Sequence, residues 1–371
     1  MAKKKKTSST TEDNPILATL SKKYGKIIQS GTEVLKSLET YETIGISPAL
    51  DIALGGGIRE GQCVVMTGDP KTGKTTTALY FAAKAQAVGK KVFYLNTEGR
   101  LTKENFRGIK GLDIDKITIV QATDETPIVS AETYLNVLER LIKEEEDIVV
   151  IVDSTSNMVP QDEIDGEIRT GVRNALPRLL SMFFKRISGD VARMKAIAIF
   201  ITHNIANTGG SRWAPSKMAD CGNMLQFQAG TNMVITHRGK WEVPKESGNH
   251  VGQVANWIIK TSAAGGKPMS TASSWIRYGV GLDEAQEVAQ TATEFAMISA
   301  KGAWYTFTTF VDNKDNPIIK SWLVENEIDT ENEEAVIRAF KCQGMEKVVN
   351  FLNSNPTLLD FMYDEIREVL L

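Results

Sequence analysis

A glycine-rich loop that ends in lysine and threonine is the strongest chemical signal in this sequence. The loop fits the pattern G-x-x-x-x-G-K-[ST], follows an apolar run typical of a strand, and precedes a stretch with helical character. Glycines let backbone N–H groups converge on phosphate oxygens, and the start of a helix favours negative charge. We therefore predict an ATP site formed by Gly68, Asp69, Pro70, Lys71, Thr72, Gly73, Lys74, Thr75 and Thr76.

Two side chains of this loop have separate predicted tasks. Lys74 is expected to reach the β- and γ-phosphates and to act in catalysis, and the Thr75 hydroxyl is expected to bind Mg²⁺. A chance glycine-rich turn is the alternative. The joint presence of strand, loop pattern and helix argues against it.

Three polar residues come directly after, or close to, the ends of further apolar runs. In a parallel sheet the carboxyl ends of the strands border the crevice where ligands bind. Asp153 is predicted to be the acid linked to Mg²⁺, and Glu98 to polarise the attacking water. His203 is predicted to sense the γ-phosphate, although a polar residue without a special role remains the alternative.

A local basic patch is the second functional signal. The chain carries a net charge of -3, so it is not a generally basic nucleic-acid binder. Two stretches, 163–171 and 204–222, are predicted to be long loops on one side of the sheet, which are usually functional. Cations with apolar or aromatic neighbours suit single-stranded nucleic acid, while solvated loops without a ligand are the alternative. The patch consists of Arg169, Arg173, Arg178, Lys185, Arg186, Arg212 and Lys217.

Composition restricts the class of protein. The 371 residues suffice for one large domain with appendages or for two domains. Cys63, Cys221 and Cys342 match no zinc or disulfide spacing, which favours a reducing cytoplasm. No apolar run is long enough to cross a bilayer, so no membrane partner is expected. Residues 1–13 begin with a lysine run and are predicted to be a disordered basic tail, with a DNA-touching arm as the alternative.

Short β-branched runs alternate with helix-length segments, such as Thr75–Ala87 and Ala131–Glu145, from residue 63 onward. This alternation predicts an α/β fold with a mostly parallel sheet covered on both faces. The last two runs are predicted to form a hairpin, and the chain after Trp304 to form a small C-terminal domain. The predicted strands are Cys63–Thr67, Lys91–Asn96, Ile117–Gln121, Ile148–Val152, Ala196–Thr202, Met233–Thr236, Val254–Lys260 and Ser274–Tyr278.

A short amphipathic helix is predicted near the amino end. Asn14 is suited to cap it and Pro15 to begin it, and apolar residues then recur at helical spacing as far as Ile28. Periodicity leaves open whether this helix packs on its own domain or docks on a neighbouring subunit.

Taken in order, several segments resemble the RecA-type recombinases over about 15–310. The glycine-rich loop alone occurs in many ATPases, but the joint order of the segments is specific. The resemblance implies a RecA-like P-loop core at 46–300, an N-terminal docking helix and polymerisation linker at 14–45, and a C-terminal domain at 301–371. The most specific segments are Leu50–Gly55, Gly68–Thr75, Asp165–Ile168, Arg277–Gly281 and Lys301–Tyr305.

The resemblance also implies residue roles. Phe106 and Tyr278 would flank adenine, and Lys260 would act in catalysis from across the subunit interface, at the neighbour's γ-phosphate. Phe227 would couple neighbouring nucleotide sites, and Ile16, Leu20 and Tyr24 would dock on the adjacent protomer. The implied DNA-binding residues are Arg169, Thr170, Gly171, Arg173, Arg178, Lys185, Asn207, Gly209, Gly210, Ser211, Arg212, Trp213 and Lys217.

The implied activity is that of an ATP-dependent recombinase. Such a protein forms a helical filament of its own copies on single-stranded DNA and exchanges strands with duplex DNA. ATP and Mg²⁺ would be its cofactors, and a single-strand-binding protein and a loading mediator would be its partners. A ring-shaped motor should lack the amino-terminal helix and Gly302–Tyr305, and an accessory paralogue should have lost Lys74, Glu98 or Asp153.

The sequence departs from the bacterial pattern at three places. His203 stands where bacterial members carry glutamine, Ser262 replaces a second cation of the interface, and the segment after Phe310 differs. These features are similar to phage recombinases of the UvsX type, which would place the protein in the cytoplasm of a bacterial host.

Overall fold

The computed structural model describes residues 15–166, 175–206, 217–220, 223–243 and 246–370. The chain divides into two compact units, Met1–Glu42 and Thr43–Leu371. The first unit contains helix α1 (Pro15–Tyr24), a 3₁₀ turn (Gly25–Ile27) and helix α2 (Gly31–Leu38).

Helix α1 begins at the predicted proline but ends before the predicted Ile28. Gly25 has a φ of 66°, which glycine adopts easily and which stops the helix. A separate helix, α2, begins after Ser30 because Ser30 and Glu33 form a reciprocal capping box. Ile16 is 68% exposed and Tyr24 49% exposed, so apolar surface is available on this unit. The predicted cap Asn14 lies outside the described residues.

The second unit contains the remaining elements. Its strands are β1 (Thr43–Ile44), β2 (Ile58–Arg59), β3 (Gln62–Gly68), β4 (Lys91–Asn96), β5 (Ile117–Val120), β6 (Ile148–Asp153), β7 (Ile197–Ala206), β8 (Lys217–Ala219), β9 (Thr231–Glu242), β10 (His250–Thr261), β11 (Ser270–Arg277), β12 (Gly281–Leu282), β13 (Ser299–Lys301), β14 (Trp304–Thr306) and β15 (Lys341–Gln343). Its helices are α3 (Pro48–Leu54), α4 (Lys74–Ala87), α5 (Lys103–Arg107), α6 (Ala131–Glu144), α7 (Gln161–Asp165), α8 (Ala175–Arg193), α9 (Asn223–Gln228), α10 (Glu284–Glu294), α11 (Thr308–Asp312), α12 (Pro317–Glu325), α13 (Glu333–Ala339), α14 (Met345–Ser354) and α15 (Pro356–Leu370).

One mixed sheet dominates this unit. Among the described residues its strand order is β12-β11-β10-β9-β3-β7-β6-β4-β5, with β8 added beside β7. The strands from β9 to β5 in this order run parallel, whereas β9 to β12 pair antiparallel. The predicted mostly parallel sheet and the predicted hairpin, formed by β10 and β11, are therefore confirmed.

Both faces of the sheet are covered, as the buried strands predicted. Successive side chains of a strand point to opposite faces. Val64 and Met66 of β3 accordingly join a core that includes residues of α3 and α4, while Cys63 and Val65 join a second core with α6 and α8.

Parts of both predicted loops, 163–171 and 204–222, form regular structure, so the prediction was wrong for those parts. Residues 163–165 belong to α7, in which the amides of Glu163 and Ile164 donate to the Pro160 carbonyl. Residues 204–206 extend β7, and Lys217 lies in β8 and not in a loop. For the second of these loops the reason is a non-local pairing, since β8 returns antiparallel to β7 and supplies backbone partners that no local pattern reveals.

The C-terminal helices pack on the core. Rings of Phe307, Phe310 and Phe340 lie in a separate apolar cluster with residues of α10 to α15. On α15, the Tyr363 hydroxyl and the Arg367 guanidinium donate to the buried Asp51 carboxylate of α3 over 2.6 and 2.7 Å. Burial raises the pKa of Asp51 to about 6 against these hydrogen bonds. The last helix is thereby joined to the core by a buried polar contact.

The buried carboxyl of Glu287 should make the free energy of unfolding depend on pH. Glu287 of α10 is 1% exposed, and burial raises its pKa to about 8. A carboxyl with a raised pKa favours the fold while it is protonated, so its contribution is lost as the pH rises towards 8. Between pH 6.5 and 8.5 the free energy of unfolding should fall by on the order of 2 kcal/mol. The Glu287→Gln variant, measured by urea unfolding, should show a clearly smaller fall.

The control for this prediction is Glu294→Gln, which changes an exposed glutamate of the same helix. It should keep the wild-type dependence on pH. An equal fall in all three proteins would show that Glu287 does not govern stability in this range.

Candidate active site

Strand β3 lies in the middle of the sheet, and the glycine-rich loop connects its end to the start of α4. Gly73 has a φ of 107°, and a Cβ atom there would lie 2.2 Å from Cδ1 of Ile276. Any other residue would be strained at this φ and would require the end of the Ile276 side chain to move. The loop therefore has the tight shape that phosphate binding requires.

Lys74 is held over the loop. Its Nζ donates hydrogen bonds of 2.8 Å to the carbonyl oxygens of Gly68 and Asp69, and the residue is 4% exposed. Burial lowers the pKa of Lys74 to about 8, although the neighbouring carboxylates of Asp153 and Glu98 oppose this. An ammonium group has three donors, so one remains for a phosphate oxygen.

Thr75 and Asp153 form the second part of the site. The Thr75 hydroxyl donates to Oδ2 of Asp153 over 2.6 Å. Asp153 ends β6, next to β4, and burial raises the pKa of its carboxyl against the hydrogen bonds from Thr75 and Tyr94. Because the Thr75 hydroxyl donates its hydrogen bond to Asp153, its oxygen keeps lone pairs for a cation.

This donor set fits Mg²⁺ bound together with phosphates. Mg²⁺ usually takes few protein oxygens, several waters and substrate phosphate oxygens. Among the described residues, no group of three or more His, Cys, Asp or Glu side chains is placed to hold a metal ion.

Glu98 and His203 form the third part. Oε1 of Glu98 lies 2.6 Å from Nε2 of His203 and accepts a 2.8 Å hydrogen bond from the Ser154 hydroxyl. The hydrogen bond from His203, helped by that from Ser154, lowers the pKa of Glu98 against burial. Glu98 is therefore ionised at neutral pH, as a group that polarises water must be.

A cavity of about 570 Å³ unites these groups. It brings together the predicted Pro70–Thr76, Glu98, Asp153 and His203. Sequence reasoning missed the other lining residues because their side chains reach the cavity from separate elements. Gln253 of β10, for example, donates to the Lys71 carbonyl over 3.3 Å. The missed residues are Tyr94, Asn96, Arg100, Leu101, Asn105, Asn157, Ile201 and Gln253.

Comparison with known protein families identifies the family of the chain. The family model described as the RecA N-terminal domain matches residues 13–283. The chain belongs to the RecA family. It is 30% identical to Protein RecA of Thermotoga petrophila over 324 residues, which cover 87% of this chain and 81% of that protein. It is 29% identical to Protein RecA of Acholeplasma laidlawii over 293 residues, which cover 78% of this chain and 84% of that protein. RecA proteins are DNA-dependent ATPases of the P-loop type and DNA recombinases.

The two residues that were predicted to flank adenine do not line the cavity described above. Phe106 packs partly buried against the core, and Tyr278 is 60% exposed. Their segments nevertheless approach each other, since a Cβ atom on Gly108 would lie 2.8 Å from the carbonyl carbon of Val280.

Only part of the predicted DNA-binding set falls on described residues. Arg178 and Lys185 are both exposed on α8, whereas Arg186 pairs with Glu139 at 2.8 Å. Lys217 lies in β8. The following predicted residues lie outside the described part: Arg169, Thr170, Gly171, Arg173, Asn207, Gly209, Gly210, Ser211, Arg212 and Trp213.

The two predicted interface residues of the core are on its surface. Phe227 of α9 is 80% exposed, and Lys260 near the end of β10 is also exposed. Both side chains are therefore accessible on the surface of the described chain.

Proposed function

We propose that this RecA-family chain is an ATP-dependent recombinase that forms a helical filament on single-stranded DNA and exchanges strands with duplex DNA. The observation that carries the proposal is the cavity that unites Lys74, the Thr75–Asp153 pair and Glu98. Each group has the chemistry that ATP hydrolysis needs, namely a cation for phosphates, ligands for Mg²⁺ and a carboxylate for water.

Residues of this chain bind the phosphates, hold the cation and activate water during hydrolysis. Backbone N–H groups of the loop and Lys74 hold the phosphates, and Thr75 with Asp153 holds Mg²⁺, which neutralises phosphate charge when bound. Glu98 orients the attacking water and accepts its proton. His203, whose Nε2 lies 2.6 Å from Oε1 of Glu98, would sense the γ-phosphate through this carboxylate.

We further propose that ATP lies between protomers of the filament. Lys260 of one protomer would reach the γ-phosphate bound by the next, with Phe227 packed at the same interface. Residues 14–45 would dock on the adjacent protomer through Ile16, Leu20 and Tyr24, and Ile16 and Tyr24 are exposed on the first unit. Residues 1–13 would be a basic tail, 46–300 the ATPase core with Phe106 and Tyr278 about adenine, and 301–371 a C-terminal domain.

The finer assignment is a phage recombinase of the UvsX kind, acting in the cytoplasm of a bacterial host. It rests on His203 at the sensor position, on Ser262 and on the segment after Phe310. A single-strand-binding protein and a loading mediator are the proposed partners. No helix among the described residues could span a membrane.

The direct test combines ATP hydrolysis with electron microscopy. Single-stranded DNA should stimulate hydrolysis and give filaments in the presence of ATP. The double variant Arg169→Ala, Arg212→Ala should bind single-stranded DNA at least about 10-fold more weakly, because each lost phosphate contact removes counterion release. Its affinity for nucleotide, measured by fluorescence titration, should not change.

The matched control removes two arginines that pair with neighbouring carboxylates, Arg140→Ala together with Arg193→Ala. This control should bind DNA like the wild type. Rings in place of filaments would favour a motor, and unchanged DNA binding in the first double variant would show that the loops have another role.

A further inference from the structure

Tyr94 makes a contact that hydrolysis of ATP does not by itself require. Its hydroxyl donates to Oδ2 of Asp153 over 2.6 Å, and the residue is 1% exposed. The same oxygen receives the hydroxyl of Thr75, also over 2.6 Å. Two O–H donors from different elements thus meet on one carboxylate oxygen.

The number of lone-pair sites on Oδ2 of Asp153 determines what this contact does. Each carboxylate oxygen offers about two lone-pair sites, so the donors from Thr75 and Tyr94 fill those of Oδ2. Rotation of the carboxylate would break at least one of these two hydrogen bonds. Hydrogen bonds that a charged carboxylate accepts are strong, so the rotation is disfavoured. Oδ1 is left to face other partners, and the Thr75 hydroxyl keeps a fixed direction.

The position of Tyr94 is rigid. Strand β4 lies beside β6 in parallel register, with Tyr94 opposite Ile151 and Asn96 opposite Asp153. The ring packs in the core shared by the sheet and α4. The hydroxyl is therefore held in place by the fold and does not depend on a mobile side chain.

We propose that Tyr94 is a positioning residue that locks the Asp153 carboxylate, so that Thr75 presents its free lone pairs to the divalent cation bound with ATP. This inference rests on the proposed nucleotide function. It adds a partner to the site that comes from β4, outside the loop and outside the strand that carries the acid. Groups that orient metal ligands in this way typically change metal affinity about 10- to 100-fold when they are removed.

The test is Tyr94→Phe, which removes one oxygen and keeps the ring. Binding of a fluorescent ATP analogue is measured at a series of MgCl₂ concentrations. The concentration that gives half-maximal binding should rise about 10-fold, and high MgCl₂ should restore binding. Binding of the same analogue in EDTA should stay as in the wild type.

Two comparisons separate positioning from general stability. Tyr80→Phe makes the same change at a buried hydroxyl that contacts Glu284, away from the cavity, and should not alter the response to MgCl₂. In an Asp153→Asn background, Tyr94→Phe should have no further effect, because the carboxylate that it orients is gone.

The outcomes also distinguish this inference from the proposed function. An unchanged response to MgCl₂ in Tyr94→Phe, or an equal shift in Tyr80→Phe, would overturn the role of Tyr94 while leaving the ATP site intact. Absence of MgCl₂-dependent binding in the wild type would instead overturn the site itself. If Tyr94→Phe is unstable, the same two readings are taken with Tyr94→Met, which also lacks the hydroxyl and adds no volume to the packed core.

Discussion

Replacing Lys74 by alanine should abolish ATP turnover. The ammonium group is buried, and two carbonyl oxygens at 2.8 Å already fix it over the loop. A preorganised cation in a site shielded from water stabilises developing phosphate charge far more than an exposed one does. We expect the rate of hydrolysis to fall by about 10³-fold or more. Steady-state hydrolysis in the presence of single-stranded DNA measures the effect.

The matched control is Lys91→Ala. Lys91 is an exposed lysine at the start of β4, where it pairs with Glu145. This control should hydrolyse ATP at the wild-type rate. If the Lys74 variant also kept that rate, the phosphate site would have been assigned to the wrong loop.

Replacing Glu98 by alanine should separate binding from hydrolysis. The variant keeps the loop, Lys74 and the Thr75–Asp153 pair, so ATP should bind and filaments should form. Loss of a positioned base typically slows the chemical step by about 10²- to 10⁴-fold. Single-turnover hydrolysis gives the chemical step, and electron microscopy should show filaments that persist on ATP.

Glu144→Ala is the control for Glu98, since Glu144 forms a surface pair with Arg140 at 2.9 Å. It should leave the chemical step unchanged. A Glu98 variant with wild-type hydrolysis would mean that another group activates water. A variant that no longer binds ATP would mean that Glu98 has a structural role.

The sequence predicted the parts of this site that are local in the chain. The loop at 68–76 carries its own pattern, and Asp153 and Glu98 follow or end apolar runs whose type and direction are easily predicted. The parallel sheet then brings them together, because its strands share one carboxyl edge.

The remaining parts depend on contacts between distant residues. No period in the sequence relates Gln253 to Lys71, or Tyr94 to Asp153, since these pairs arise from strand order and register. The extension of β7 was missed for the same reason, because only β8 reveals it. These corrections fall where pairing between remote segments decides the structure, whereas the differences at α7 and at the end of α1 are local.

The contact of α15 with Asp51 has a practical consequence for the design of shortened chains. A truncation before Tyr363 would leave a carboxylate inside the core without its hydroxyl and guanidinium donors. The same truncation would also remove the fully buried side chain of Ile366 and uncover this part of the core, which lowers the stability of the domain further. Loss of activity after such trimming would therefore report unfolding of the ATPase core, and surface charges of the C-terminal helices are better studied by single substitutions in the intact chain.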